Sequence, residues 1–177
     1  MGENFVVQEK IMPHESFSKI YTKSINTLRV ITYFANNKIK VAPITMRIGQ
    51  GGAKVDNAHA GGMFIAVDDG GKLAKEAFTE CQKRYTKHPD TGTVFKDYQL
   101  PNIQKVKKVA IELHKRLPML EIISWDFAID KDENIVLIEA NMHSQSTWFP
   151  QMASGKALFG EDTAIILQSL KNKVRKK

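Results

Sequence analysis

Residues 27–34, TLRVITYF, form an almost unbroken apolar and β-branched run that predicts a strand. After the turn pair Asn36-Asn37, the run IKVAPITMR predicts its partner over residues 39–47. The same pattern predicts a strand at 5–11, a hairpin from 63–67 and 72–78 around a tight turn at 68–71, and a last hairpin from 125–130 and 135–141 around the polar residues 131–134. Ile103, Val106, Val109, Ala110, Leu113 and Leu117 recur at three- and four-residue spacing, which predicts a helix with one buried face that ends at Pro118. A second amphipathic helix is predicted over 163–174. Residues 13–24 are expected to be a short helix or loop, 85–100 (with HPDTG at 88–92) a surface excursion, and 142–156 irregular. Hairpins with few helices and no βαβ alternation give an α+β domain with a largely antiparallel sheet.

The chain has 177 residues, enough for one domain with its own core, and 42% hydrophobic with 25% charged content excludes a disordered segment. Its single cysteine, Cys81, excludes an internal disulfide framework and suits a reducing compartment. No apolar core follows a basic segment at the front and no eighteen consecutive residues are apolar, so neither a signal peptide nor a membrane span is expected, and a cytoplasmic location is. Charge changes the picture more. The net charge is +7, and the last seven residues, KNKVRKK, are mostly cationic. This suits anionic partners. Aromatic residues are not interleaved with the cations as a single-strand nucleic-acid surface requires, so a basic nucleic-acid-binding protein stands only as an alternative.

The last hairpin carries the most specific chemistry. If it is centred between Asp132 and Glu133, Asp126 lies directly opposite Glu139, and Asn141 follows on the same face. Like charges so opposed repel unless something positive sits between them. All three side chains offer hard oxygen ligands and no thiol joins them, which points to Mg²⁺ or Mn²⁺. A solvated hairpin with an acidic wet face is the plainer alternative. Arg29 and Arg47 are cations within apolar strands and need an anion or a paired acid, unless they snorkel to the surface. The glycine-rich residues 49–62 match neither the P-loop nor the dinucleotide fingerprint.

Taken in order, the strand with QEKI, the strand with Arg29, the strand ending in Arg47, the loop with DN and GG, the helix, and Asp126 followed thirteen residues later by EAN resemble the C-terminal half of the ATP-grasp fold. NTLRV at 26–30, VDN at 55–57, HPDTG and SWDFAI resemble the sugar-transfer associated ATP-grasp family over nearly the whole chain. The resemblance implies an ATP-dependent carboxylate–amine ligase-like enzyme, linked to polysaccharide or sugar-transfer biosynthesis, with ATP and Mg²⁺ or Mn²⁺ as cofactors. Its acceptor would be a carboxylate or a sugar-linked molecule. By position, Gln8, Glu9, Lys10 and Ile11 would form the hinge against adenine, Glu15 would reach the ribose, and Asn57 the phosphates. Arg29 and Arg47 would act catalytically by neutralising phosphoryl or acyl-phosphate oxygens, and Asp126, Glu139 and Asn141 would hold the metal. Ser124 stands where some relatives carry arginine, and MHSQS follows Asn141 without the Pro-Gly turn common among them. The fold's other half, a lid with phosphate-covering lysines, should precede the hinge and is not expected within residues 1–177. Residues 1–177 are therefore expected to be the C-terminal portion alone, with a homodimer covering the open hinge side or, as an alternative, no catalytic activity.

Overall fold

Period-two alternation along the long strands sorts their side chains onto two faces of one sheet. A computed structural model describes residues 9–58, 61–143 and 145–174. In chain order its elements are α1 (Glu15–Ser18), β1 (Leu28–Ala35), β2 (Lys38–Val41), β3 (Ile44–Ile48), β4 (Met63–Val67), β5 (Leu73–Thr79) and β6 (Arg84–Tyr85). Then follow α2 (Ile103–Lys115), β7 (Ile122–Ile129), β8 (Ile135–Asn141), α3 (Trp148–Ser154), a 3₁₀ turn (Gly160–Asp162) and α4 (Thr163–Val174). Among the described residues the strands form one sheet in the order β6-β5-β4-β3-β1-β7-β8, with β2 also paired to β1. Every pairing is antiparallel, the α+β arrangement that the hairpins predict.

One face is dry. Leu28, Val30, Met46, Ile48, Met63, Ile65, Trp125 and Phe127 pack there against Phe17 of α1 and Ile103, Val106 and Ala110 of α2. Within this layer, His114 of α2 bonds Thr32 Oγ1 at 2.7 Å and the Leu120 carbonyl at 2.9 Å, and Trp125 Nε1 donates to the same threonine at 2.8 Å. The residues between these in sequence, Arg29, Arg47 and Asp126, turn to the other face. There α3 packs Phe149 and Ala153 against Phe64.

The structure corrects two sequence expectations and extends a third. The single strand expected over 39–47 is split at Ala42-Pro43 into β2 and β3, because proline has no N–H to give to a ladder. The irregular stretch expected over 142–156 contains α3, whose Pro150 lies in the first turn, where a missing N–H costs nothing. The HPDTG segment lies at the surface as expected, with Pro89 to Gly92 exposed, but it is anchored there as a clasp. His88 is fully buried, its Nε2 donates to Gly49 O at 2.8 Å and its Nδ1 accepts from Asp90 N at 3.2 Å. Asp90 in turn accepts from Gly51 N at 2.6 Å, and Thr91 donates to Ile20 O at 2.9 Å. The strand expected over 5–11 lies mostly outside the described residues, and its last three, Glu9 to Ile11, are in no strand.

Candidate functional site

The site is built around a carboxylate held by two guanidinium groups. Asp126 sits on β7 opposite Arg29 on β1, and Arg29 pairs on its other side with Thr45 of β3, two residues before Arg47. Alternation therefore aims both arginines at the same acid. Arg29 donates through Nε and Nη2 to the two oxygens of Asp126, at 2.5 and 2.9 Å, a bidentate fork; Arg47 Nη1 adds a third bond at 2.9 Å. The acid is only 2% exposed and each arginine 7%.

Arg47 has a second side to its cluster. Its Nη2 lies 3.3 Å from Asp56 Oδ1 and bonds Asn57 Oδ1. Asp56 is itself fixed, because its Oδ2 accepts from Thr27 N at 2.9 Å and Thr27 Oγ1 at 2.5 Å. Gly62 makes this geometry reachable: a β-carbon there would lie 2.5 Å from the Asp56 carbonyl oxygen and 2.8 Å from that of Asn57, so the returning chain passes too close for any side chain. Phe149 of α3 closes the opposite side, its ring centre 5.3 Å from the Arg29 guanidinium carbon. Phe149 and Trp148 both contact Phe64 edge-on or tilted, at 5.2 and 5.5 Å. Arg29, Arg47, Asp126 and Asp56 thus form a buried chain of two positive and two negative charges. Thr45, fully buried between Arg29 and Ala66, has a hydroxyl with no hydrogen-bond partner.

The hairpin pairs Asp126 with Glu139, and Ser124 with Asn141, in register. The route to that register differs from the symmetric turn assumed from sequence. Asp130 N donates to Asn134 O at 3.0 Å around a three-residue loop, with Glu133 at φ 61°, so the pairs near the turn are shifted by one. A bulge between Asp126 and Phe127 then restores the Asp126–Glu139 pair. Asp130 fixes the loop by accepting from Asp132 N at 2.9 Å, Asn134 N at 2.8 Å and Asn134 Nδ2 at 3.0 Å. These bonds, that from the Asn134 side chain first, hold its carboxyl below the usual range. Glu139 is exposed and has no partner among the described residues, and Asn141 is half-buried.

The expected site residues therefore fall into three groups. Arg29, Arg47, Asn57 and Asp126 are in direct contact, with Glu139 and Asn141 beside them on the same face. Glu9, Lys10 and Ile11 lie apart from the cluster, lining with Met12 a groove of about 460 Å³ whose other wall is Val136, Leu137 and Ile138. It ends one residue short of Glu139. Gln8 is outside the described residues. Glu15 is not brought to the cluster: it begins α1, which packs on the opposite face, and its carboxylate lies 3.1 Å from Lys19, whose hydrogen bond lowers its pKa. Asp56, Thr27 and Phe149 were not singled out from the sequence. The VDN triplet held the signal for Asp56, whereas nothing local marks Phe149.

The donor chemistry fits a hard cation bound together with an anion. Glu139 and Asn141 have oxygens to offer, but Asp126 already accepts three bonds from two cations, and a dication placed there alone would face two guanidinium groups. Among the described residues no group of three or more His, Cys, Asp or Glu is arranged to hold a metal, and no helix is long and apolar enough to cross a membrane. The model of the sugar-transfer associated ATP-grasp family matches residues 1–166 of the chain. Comparisons with curated proteins and with solved structures found no match.

Proposed function

Since the chain belongs to the sugar-transfer associated ATP-grasp family, we propose that it forms the nucleotide- and metal-binding part of an ATP-dependent carboxylate–amine ligase-like enzyme acting in polysaccharide or sugar-transfer biosynthesis. The observation that carries this reading is the buried pair Arg29 and Arg47, converging on one carboxylate beside Glu139, which has no partner among the described residues. Two guanidinium groups held buried on the face opposite the main core suit oxyanions, because a transferring phosphoryl group needs positioning and charge neutralisation more than covalent help. Asp56 and Asn57 fix the fork of Arg47, so its direction is set before any ligand arrives. Glu139, Asn141 and Asp126 would hold Mg²⁺ or Mn²⁺, which when bound neutralises phosphate oxygens. The groove between Glu9–Met12 and Leu137–Ile138, apolar on one wall and continuous with Glu139 along β8, suits a flat base whose phosphates reach the arginines. This chain would supply the sheet side of the site, opposite a covering lid, and its acceptor would be a carboxylate or sugar-linked molecule.

Titration calorimetry with Mg-ADP tests it. A binding isotherm that disappears in Glu139→Gln is expected. An isotherm unchanged in that variant removes Glu139 from the metal site, and no heat with the wild-type chain removes the nucleotide reading.

A further inference from the structure

We propose that Asp126 is a resident anion in the arginine site, occupying the place of a polyphosphate and yielding both guanidinium groups when one binds. The inference rests on the nucleotide reading above and adds a second role for the acid. A metal ligand normally keeps its oxygens toward the cation or toward donors that orient it. Here both oxygens of Asp126 are given to cations, by three charge-assisted bonds in a site 2% exposed. The two arginines are unequal partners. Arg47 has a second acid, Asp56, tied to Thr27, and a carbonyl from Asn57, so it keeps anionic company if Asp126 leaves. Arg29 has only Asp126 and the Phe149 ring among the described contacts. A polyphosphate therefore competes with Asp126 for Arg29 first. Released from Arg29, the carboxylate faces its register partner Glu139, and two acids so opposed call for a cation. Anion entry would in this way create the metal site, so that cation and polyphosphate favour each other through one side chain.

The test is binding of inorganic tripolyphosphate in EDTA, where no metal contributes. Asp126→Asn keeps the shape but gives up the competing charge, and should bind metal-free tripolyphosphate about tenfold more tightly than the wild type or better, the order expected from one charge-assisted hydrogen bond. Asp126→Glu should stay at the wild-type affinity. Equal or weaker binding by Asp126→Asn overturns the proposal. If that variant does not fold, the wild-type Arg29 Nε–H resonance decides: tripolyphosphate without metal should shift it, and an unmoved resonance at saturation overturns the proposal. A chain that binds tripolyphosphate as described but not Mg-ADP would retain the resident-anion role and lose the nucleotide reading.

Discussion

At the residue scale, Asp126 decides the electrostatics of the site. The positive partner that the opposed acids Asp126 and Glu139 require is already supplied by Arg29 and Arg47. Glu139→Gln should therefore leave stability within about 0.5 kcal/mol of wild type, as measured by urea unfolding. A gain well beyond that would show the repulsion to be uncompensated. Arg47→Ala is the opposite case. It strips a partner from two buried acids at once, Asp56 and Asp126, and breaking a buried pair leaves a charge uncompensated. A loss of about 3–5 kcal/mol in unfolding free energy is expected, and a loss under about 1 kcal/mol would mean that water reaches the cluster.

At the scale of elements, two loops aim the strands' side chains. The turn carrying Asp56 and Asn57 returns to β4 through Gly62, and Gly62→Ala drives a methyl group onto two carbonyl oxygens. It should cost roughly 1–3 kcal/mol, as overpacking does, and weaken Mg-ADP binding through displacement of Arg47. Unchanged binding with lowered stability would separate the turn from the site. The HPDTG clasp holds the neighbouring glycine loop by His88 to Gly49 and Asp90 to Gly51. His88→Ala should speed tryptic cleavage after the exposed Lys54 relative to wild type, whereas an equal rate would show that the loop is held by other contacts.

At the scale of the whole molecule, one acid just ahead of α4 links the C-terminal segment to the sheet, beside the packing of Leu158, Phe159 and Ile166 on Ile31 and Tyr33. Asp162 accepts from Lys40 Nζ at 2.6 and 2.8 Å, from Tyr33 Oη at 3.1 Å and from Asn36 Nδ2 at 3.1 Å. The hydrogen bond from Lys40, ahead of the one from Tyr33, holds its carboxyl below the ordinary 3.8. Its contribution to stability is thus present above 3.8 and is lost as pH falls through the lower folded value. Tyr33 moves the other way: burial first, then the bond to Asp162, carries its phenol from 10.0 up to about 12. That contribution is intact below 10 and is lost as pH rises toward 12. Denaturation followed against pH should show both limbs, with Asp162→Asn flattening the acid one and Tyr33→Phe the alkaline one. A wild-type alkaline limb that persists in Tyr33→Phe would assign it to another group.

The sequence by itself determined what short-range periodicity encodes. Alternation places Leu28, Val30, Met46 and Trp125 on one face and Arg29, Arg47 and Asp126 on the other, and the polar residues at 131–134 join two strands into a hairpin. The Asp126–Glu139 pair was legible for the same reason, although a three-residue loop and a bulge, not a symmetric turn, set it. What the sequence could not reveal is which charges meet. Asp126 lies 97 residues from Arg29 and 79 from Arg47, so only the order of strands β3-β1-β7 brings one carboxylate between two guanidinium groups. Phe149 is beyond reading for a related cause: a seven-residue helix shows too little period to identify, and its place over Arg29 comes from packing on Phe64. Local pattern fixes the face on which a side chain lies, because a strand repeats every two residues. Its partner across the sheet is chosen by topology, because the energy of a buried ion pair is realised only when distant segments have closed on it.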